Sequence, residues 1–144
     1  MLDLSPLFER IREIEKQAPQ LLRLAANVAK QDIVERTMSG ADVNEQEFKG
    51  YTPRYLKKKD KAGVYTGHVD HHWTGALFDS IEYFEGADNS VSIFFSEGYE
   101  PIARGLQNRW GRDWWGVNAI TEFKVMAIVT EATQKVLSGE TVYA

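Results

Sequence analysis

The 144-residue chain contains no cysteine. This absence excludes disulfide bonds, thiolate zinc sites, iron–sulfur clusters and cysteine nucleophiles. Long apolar runs are also absent, because charged residues interrupt each apolar stretch before it reaches the length of a membrane span. The composition, 43% hydrophobic and 26% charged, predicts one globular domain over residues 1–144 with its own core.

Familiar signals for secretion and catalysis are missing as well. The first residues, Met1 to Pro6, have neither the basic nor the apolar segment of a secretory signal, so we expect synthesis in the cytoplasm. The chain has no glycine-rich dinucleotide motif, no Walker loop and no Gly-x-Ser-x-Gly motif. We therefore expect a protein that is not an enzyme and that needs no cofactor.

The net charge of −4 is unevenly distributed along the chain. Residues 49–61 contain six basic side chains and one acid, whereas residues 79–100 contain six acids and no lysine or arginine. Such a chain can attract copies of itself head to tail, which is the geometry that closes rings. The alternative is two solvated surfaces that never meet.

Apolar periodicity and turn residues predict an α+β fold, with N-terminal helices and a C-terminal helix packed on a small antiparallel sheet. Residues 1–38 are predicted to be helical, capped by Ser5 and broken near Gln17 because Pro19 follows. Residues 79–96 predict a β-hairpin, and residues 100–108 a short helix.

The last predicted helix covers residues 117–138 and stops at Ser138-Gly139. Its predicted apolar face consists of Ile120, Phe123, Val125, Ala127, Ile128 and Val136. Residues 41–74, by contrast, have little periodicity and predict a long, mobile arm or loop with short extended pieces. Its aromatic residues, among them Tyr51 and Tyr55, suggest that the arm becomes ordered on contact with a partner.

Three patterns are candidates for function. His68, Asp70 and His72 share one face if the chain is extended there, and they resemble part of a metal site for hydrolysis. Lys57, Lys58 and Lys59 are candidate phosphate contacts, or alternatively a solvated loop. A tryptophan-rich segment, residues 109–116, holds three of the four tryptophans and predicts one in the core and at least one at an interface.

The stretch from Arg36 to Ile120 resembles the virion-morphogenesis proteins of tailed phages, which are tail-completion or head–tail joining (neck) proteins. The resemblance lies in the order of short motifs: Asp42 to Phe48, Tyr51-Thr52-Pro53, Lys57 to Lys59, Thr74-Gly75-Ala76-Leu77, Ser80-Ile81, Tyr99, Ala103, Gln107, Arg112 and Trp114-Trp115-Gly116. The chain departs from the family pattern at Glu45, Phe48 and Asn108, where glycine, tryptophan and glycine are usual.

The resemblance implies a structural virion subunit that forms a ring of roughly six or twelve copies at the head–tail junction. It implies contacts with the head connector or adaptor and with tail-tube or tail-terminator proteins, and nonspecific contact with passing DNA, without a membrane. We expect the interface residues to be Tyr51, Tyr55, Lys57, Lys58, Lys59, Arg109, Trp110, Arg112, Trp114 and Trp115. Deleting residues 49–61 should then abolish assembly and leave the fold intact.

Two alternatives remain at this point. One is a small metal-dependent hydrolase that uses His68, Asp70 and His72. The other is a nucleic-acid-binding accessory protein that uses Lys57, Lys58, Lys59 and the tryptophans, although the net negative charge argues against it.

Overall fold

The computed structural model describes residues 2–70, 75–88, 90–108 and 111–139. Within these ranges the chain forms six helices and one two-stranded antiparallel sheet, so the predicted α+β class is confirmed. The elements in chain order are α1 Ser5–Lys16, α2 Ala18–Met38, α3 Pro53–Lys61, α4 Ala76–Asp79, β1 Ile81–Glu85, β2 Val91–Phe95, α5 Glu100–Asn108 and α6 Ala119–Leu137. None of these helices is long and apolar enough to span a membrane.

The two N-terminal helices meet at Gln17, which confirms the predicted break. The predicted cap at Ser5 is wrong by one position, because Leu4 is the N-cap and Ser5 is already helical. The carboxylate of Asp3 accepts a hydrogen bond of 3.0 Å from the Ser5 amide, so it satisfies a free donor of the first turn. The helix α2 ends at Met38 with Ser39 as its C-cap, in agreement with the predicted stop at Ser39-Gly40, and Gly40 has a φ of +91°.

The helix α2 is the scaffold on which α6 and the hairpin pack. Lys30 Nζ donates a 3.0 Å hydrogen bond to the carbonyl of Ile81 at the start of β1. Arg23 forms an ion pair with Glu85 at the end of the same strand. These two contacts hold both ends of β1 against α2.

The hairpin has one buried and one exposed face. Ile81 pairs with Phe95, and both side chains are buried against the core. The register places Glu82 opposite Phe94 and Phe84 opposite Ser92 on the other face, and all four residues are exposed. The predicted hairpin is thus confirmed, except that Asn89 of its expected turn lies outside the described residues.

The main hydrophobic core lies between α2, the hairpin, α5 and the segment that precedes α6. Trp114 is fully buried at its centre, with ring centroids 5.5 Å from Phe95 and 6.2 Å from Phe78. The other buried members are Ile33, Phe48, Val69, Ile81 and Ala103. A second, smaller cluster joins α6 to α1 and α2 through Ala132 and Val136.

The prediction of an extended, mobile arm over residues 41–74 is wrong for much of its length. Pro53–Lys61 is the nine-residue helix α3, and Thr52 Oγ1 accepts a 3.4 Å hydrogen bond from the Tyr55 amide at its start. Phe48 and Val69, on either side of α3, are buried in the core. Residues 71–74 of the expected arm lie outside the described residues. The segment is therefore attached to the domain at both ends of α3.

The predicted apolar face of α6 is also wrong in part. Thr121, Ala132 and Val136 are the buried residues of this helix, whereas Ile120 and Phe123 are exposed. Asn118 caps the helix and accepts a 2.9 Å hydrogen bond from the Thr121 amide. This polar first turn determines which face of α6 meets α2.

A buried polar network explains that orientation. Thr121 Oγ1 donates a 2.5 Å hydrogen bond to Asp32 of α2, and Lys124 forms an ion pair with the same carboxylate. Arg36, also on α2, donates hydrogen bonds of 3.0 and 2.8 Å to the carbonyls of Trp114 and Gly116. The network therefore ties both α6 and the segment before it to α2.

We expect the stability of the protein to fall in acid because of Asp32. Burial alone would raise the pKa of this carboxyl, but its hydrogen bonds to Lys124 and Thr121 outweigh burial and lower the pKa below the usual 3.8. The ionised carboxylate thus stabilises the fold above about pH 4, and this contribution is lost as the pH falls through the lowered pKa. Asp32→Asn should lower the free energy of unfolding at pH 7 by about 1.5–3 kcal/mol and flatten its acid dependence, measured by urea denaturation from pH 7 to pH 3.

Glu122→Gln is a suitable control, since Glu122 is an exposed carboxylate on α6. It should change the free energy of unfolding by no more than about 0.5 kcal/mol. An unchanged acid dependence in Asp32→Asn would contradict the role assigned to Asp32.

Candidate functional site

A cavity of about 880 Å³ opens beside α3, and we call it the basic cleft. It lies between α3, the start of α4, one face of α5 and the residue Arg112. Its lining residues are Tyr51, Thr52, Arg54, Tyr55, Lys57, Lys58, Lys61, Gly75, Ala76, Leu77, Tyr99, Ile102, Leu106 and Arg112. Its size is in the range of natural ligand pockets.

The cleft combines positive charge with apolar surface. Five of its lining residues are arginine or lysine, and among the described residues that line it there is no aspartate or glutamate. Leu77, Ile102 and Leu106 form an apolar floor, and three tyrosines add aromatic surface. Such a lining favours a ligand that carries a negative charge next to an apolar or aromatic group.

A buried ion pair holds α3 in place beneath the cleft. Lys59 Nζ lies 2.9 Å from Asp70 Oδ1, and both side chains are at most 1% exposed. Thr66 Oγ1 donates a 2.8 Å hydrogen bond to Asp70 Oδ2, so both oxygens of the carboxylate are engaged. Because a buried charge is costly unless it is paired, this ion pair fixes the third lysine of the run toward the interior.

Tyr51 links the ion pair to the cleft. Its hydroxyl oxygen accepts hydrogen bonds from Lys59 Nζ at 3.1 Å and from the Asp70 amide at 3.2 Å. Burial alone would lower the pKa of Lys59, but the hydrogen bonds to Asp70 and Tyr51 outweigh burial and raise it above 10.5. Lys59 is therefore charged throughout the physiological pH range.

Arg112 also contacts Tyr51. Its guanidinium carbon is 4.9 Å from the centroid of the Tyr51 ring, and the side chain is only 6% exposed. Burial lowers the pKa of Arg112 below its usual range. The centroid of the Tyr55 ring lies 5.0 Å from that of the Tyr51 ring. Partial burial raises the pKa of the Tyr55 hydroxyl above its usual value of 10.

The ten predicted interface residues do not all lie at one place. Tyr51, Tyr55, Lys57, Lys58 and Arg112 come together around the basic cleft. Lys59 does not line it, because its ammonium is buried against Asp70.

The predicted interface tryptophans differ in how far they are buried. Trp114 is fully buried in the core, which confirms the prediction of one core tryptophan but is incompatible with its direct use as an interface residue. Trp115 is half-buried, with its ring 4.4 Å from that of Phe95. Arg109 and Trp110 lie outside the described residues.

The contacts of His68 and Asp70 do not support the metal site considered for His68, Asp70 and His72. Asp70 is engaged by Lys59 and Thr66, and the His68 ring forms a short hydrogen bond with the carbonyl of Met38. His72 lies outside the described residues. Among the residues that are described, no three histidines, cysteines, aspartates or glutamates are grouped so as to hold a metal ion.

Sequence reasoning missed several lining residues. Arg54 and Lys61 belong to the same basic segment but were not singled out, although their spacing places them on a helix face with Lys57 and Lys58. Ile102 and Leu106 are four residues apart on α5, a spacing typical of one helical face. The capping signal Thr52-Pro53 was the clue that would have revealed α3.

Comparisons of the chain with models of protein families, with curated proteins and with solved structures find no match.

Removing the lysine of the buried pair should destabilise the fold strongly. Lys59→Met leaves the Asp70 carboxylate buried without its ammonium partner, and we expect a loss of about 3–5 kcal/mol in the free energy of unfolding, measured with urea. The matched control is Lys57→Met on the exposed side of the same helix, which should change it by no more than about 0.5 kcal/mol.

The double variant Lys59→Met/Asp70→Asn should regain part of the lost stability, since it removes the unpaired charge. Equal effects of Lys59→Met and Lys57→Met would contradict the assignment. The same pair explains why deleting residues 49–61 is not a clean test of assembly, because the deletion also removes the partner of Asp70.

Proposed function

We propose that this protein is a structural subunit of the virion of a tailed phage. In this proposal it forms a homo-oligomeric ring at the head–tail junction and joins the connector to the tail. The observation that carries the proposal is the apolar surface that α1 and α6 leave exposed. The proposed place in the particle is supported by the resemblance in the order of motifs between Arg36 and Ile120.

The exposed surface of α6 follows one side of the helix. Phe123 is 74% exposed and Met126 is 63% exposed, and Ile120 precedes them at helical spacing. Large apolar side chains gain roughly 1.5–3 kcal/mol each when they are fully buried, so a continuous exposed group of them favours association.

The first helix has a similar surface. No residue of α1 is buried, and the apolar side chains of its N-cap Leu4 and of Leu7, Phe8 and Ile11 recur on one face at helical spacing. An amphipathic helix with an uncovered apolar face is expected to pack against another molecule. The two helices thus supply two apolar surfaces for contacts between subunits.

The proposal assigns the protein no enzymatic activity and no cofactor. Its partners are copies of itself, the head connector or adaptor, and the tail-tube or tail-terminator proteins. In the proposal, the basic cleft binds other proteins of the assembly. Exposed lysines outside the cleft contact passing DNA nonspecifically.

We expect the purified protein to form a closed oligomer in native mass spectra recorded over a range of concentrations. Phe123→Asp should shift the oligomer toward monomer by about tenfold or more in dissociation constant, because it places a charge in an apolar contact. Asn27→Asp adds the same charge at an exposed polar position of α2 and should leave the oligomer unchanged.

Circular dichroism spectra of the two variants should match that of the unmodified protein, which separates loss of assembly from loss of folding. A protein that stays monomeric at every concentration would contradict self-assembly. An oligomer that Phe123→Asp does not weaken would contradict the role of α6.

A further inference from the structure

We propose that the basic cleft of one copy receives the outer face of the β1–β2 hairpin of a neighbouring copy. In this arrangement Glu82 of the neighbour meets the lysines of the cleft, while Phe84 and Phe94 lie on its apolar floor. The inference rests on the proposed self-assembly and identifies the two surfaces through which each copy binds the next.

The outer face of the hairpin has the chemistry that the cleft favours. Phe84 is 65% exposed and Phe94 is 40% exposed, an unusual situation for two phenylalanines on adjacent strands. Glu82 lies directly opposite Phe94 in the register, so a carboxylate and aromatic rings share one small surface. The surrounding segment, residues 79–100, contains six acids and no lysine or arginine.

The cleft offers the complementary groups. Arg54, Lys57 and Lys61 lie on its α3 wall, and each is exposed. Leu77, Ile102 and Leu106 form the floor on which aromatic rings can pack. Opposite charges at the rim and apolar surface at the centre are the usual arrangement of a specific protein interface.

The hairpin that fills the cleft must come from another copy. The ion pair between Arg23 and Glu85 and the hydrogen bond from Lys30 to Ile81 hold each hairpin against its own α2. Accordingly, no described hairpin residue lines the cleft of the same chain. A contact between two different surfaces of identical subunits is head to tail, and its repetition closes a ring when the rotation between successive copies adds up to a full turn.

Double-stranded DNA is a less suitable occupant, because its bases are stacked inside the duplex. Phosphate contacts would use the lysines and arginines but leave the apolar floor uncovered, whereas the hairpin satisfies both. The chain also carries a net charge of −4, which opposes binding to a polyanion.

The absence of cysteine makes a disulfide-trapping experiment direct. A chain with Phe84→Cys is mixed with a second chain carrying Ile102→Cys and a short tag that changes its mass, and the mixture is oxidised mildly. We expect a mixed disulfide dimer as the main crosslinked product. The control mixture pairs Phe84→Cys with Asn27→Cys, which lies on α2 outside the cleft, and should yield far less mixed dimer.

Charge reversal tests the same contact without crosslinking. Lys57→Glu and Glu82→Lys should each weaken the oligomer about tenfold or more in native mass spectra, and the double variant should restore it. Lys49→Glu reverses an exposed charge of the same basic segment that does not line the cleft, and it should have no effect.

The outcomes separate this inference from the proposed function. If the unmodified protein assembles but neither mixed disulfides nor charge rescue occur, the hairpin contact is wrong and self-assembly stands. A protein that never assembles overturns both. Salt-dependent binding of double-stranded DNA that Lys57→Glu abolishes, with assembly unaffected, overturns the hairpin contact and assigns the cleft to nucleic acid.

Discussion

The buried ion pair between Lys59 and Asp70 is the interaction on which the basic cleft depends. It fixes one face of α3 against the domain, and so leaves Arg54, Lys57 and Lys61 pointing away from the interior along the cleft wall. Without this pair, a helix that carries so many lysines would have little apolar surface to hold it in place. The buried charge of Lys59 thus determines the orientation of the other basic side chains of α3.

A second polar network, around Arg36, positions another part of the cleft lining. Its hydrogen bonds to the carbonyls of Trp114 and Gly116 fix the chain next to Arg112, whose guanidinium lies over Tyr51. Buried polar contacts therefore support both α3 and the segment that carries Arg112. In contrast, apolar side chains of α1 and α6 such as Phe8 and Phe123 are left largely exposed by the rest of the chain. A preformed cleft and uncovered apolar helices are together what a subunit of an assembly needs.

Local signals in the sequence predicted the fold class and most elements, because helix breaks, caps and turn residues act over a few positions. The break at Gln17 and the end of α2 at Ser39 are examples. The errors arose where distant residues decide the structure. Nothing near Lys59 in the sequence shows that its partner is Asp70, and the apolar pattern of α6 does not reveal that Thr121 faces inward to Asp32. Five of the predicted interface residues do lie around one cavity. The part of its lining that α5 supplies could not be predicted, because it depends on the tertiary fold.

Hydrogen–deuterium exchange of the assembled protein against the dissociated protein tests the central claim most directly. The account predicts that α3 is already protected in the monomer, since Lys59 and Asp70 hold it. On assembly, protection should increase further in α3, in α5 and in the hairpin around Glu82, all in the same concentration range. Rapid exchange throughout residues 53–61 in the monomer, or protection on assembly that spares both the cleft and the hairpin, would contradict the account.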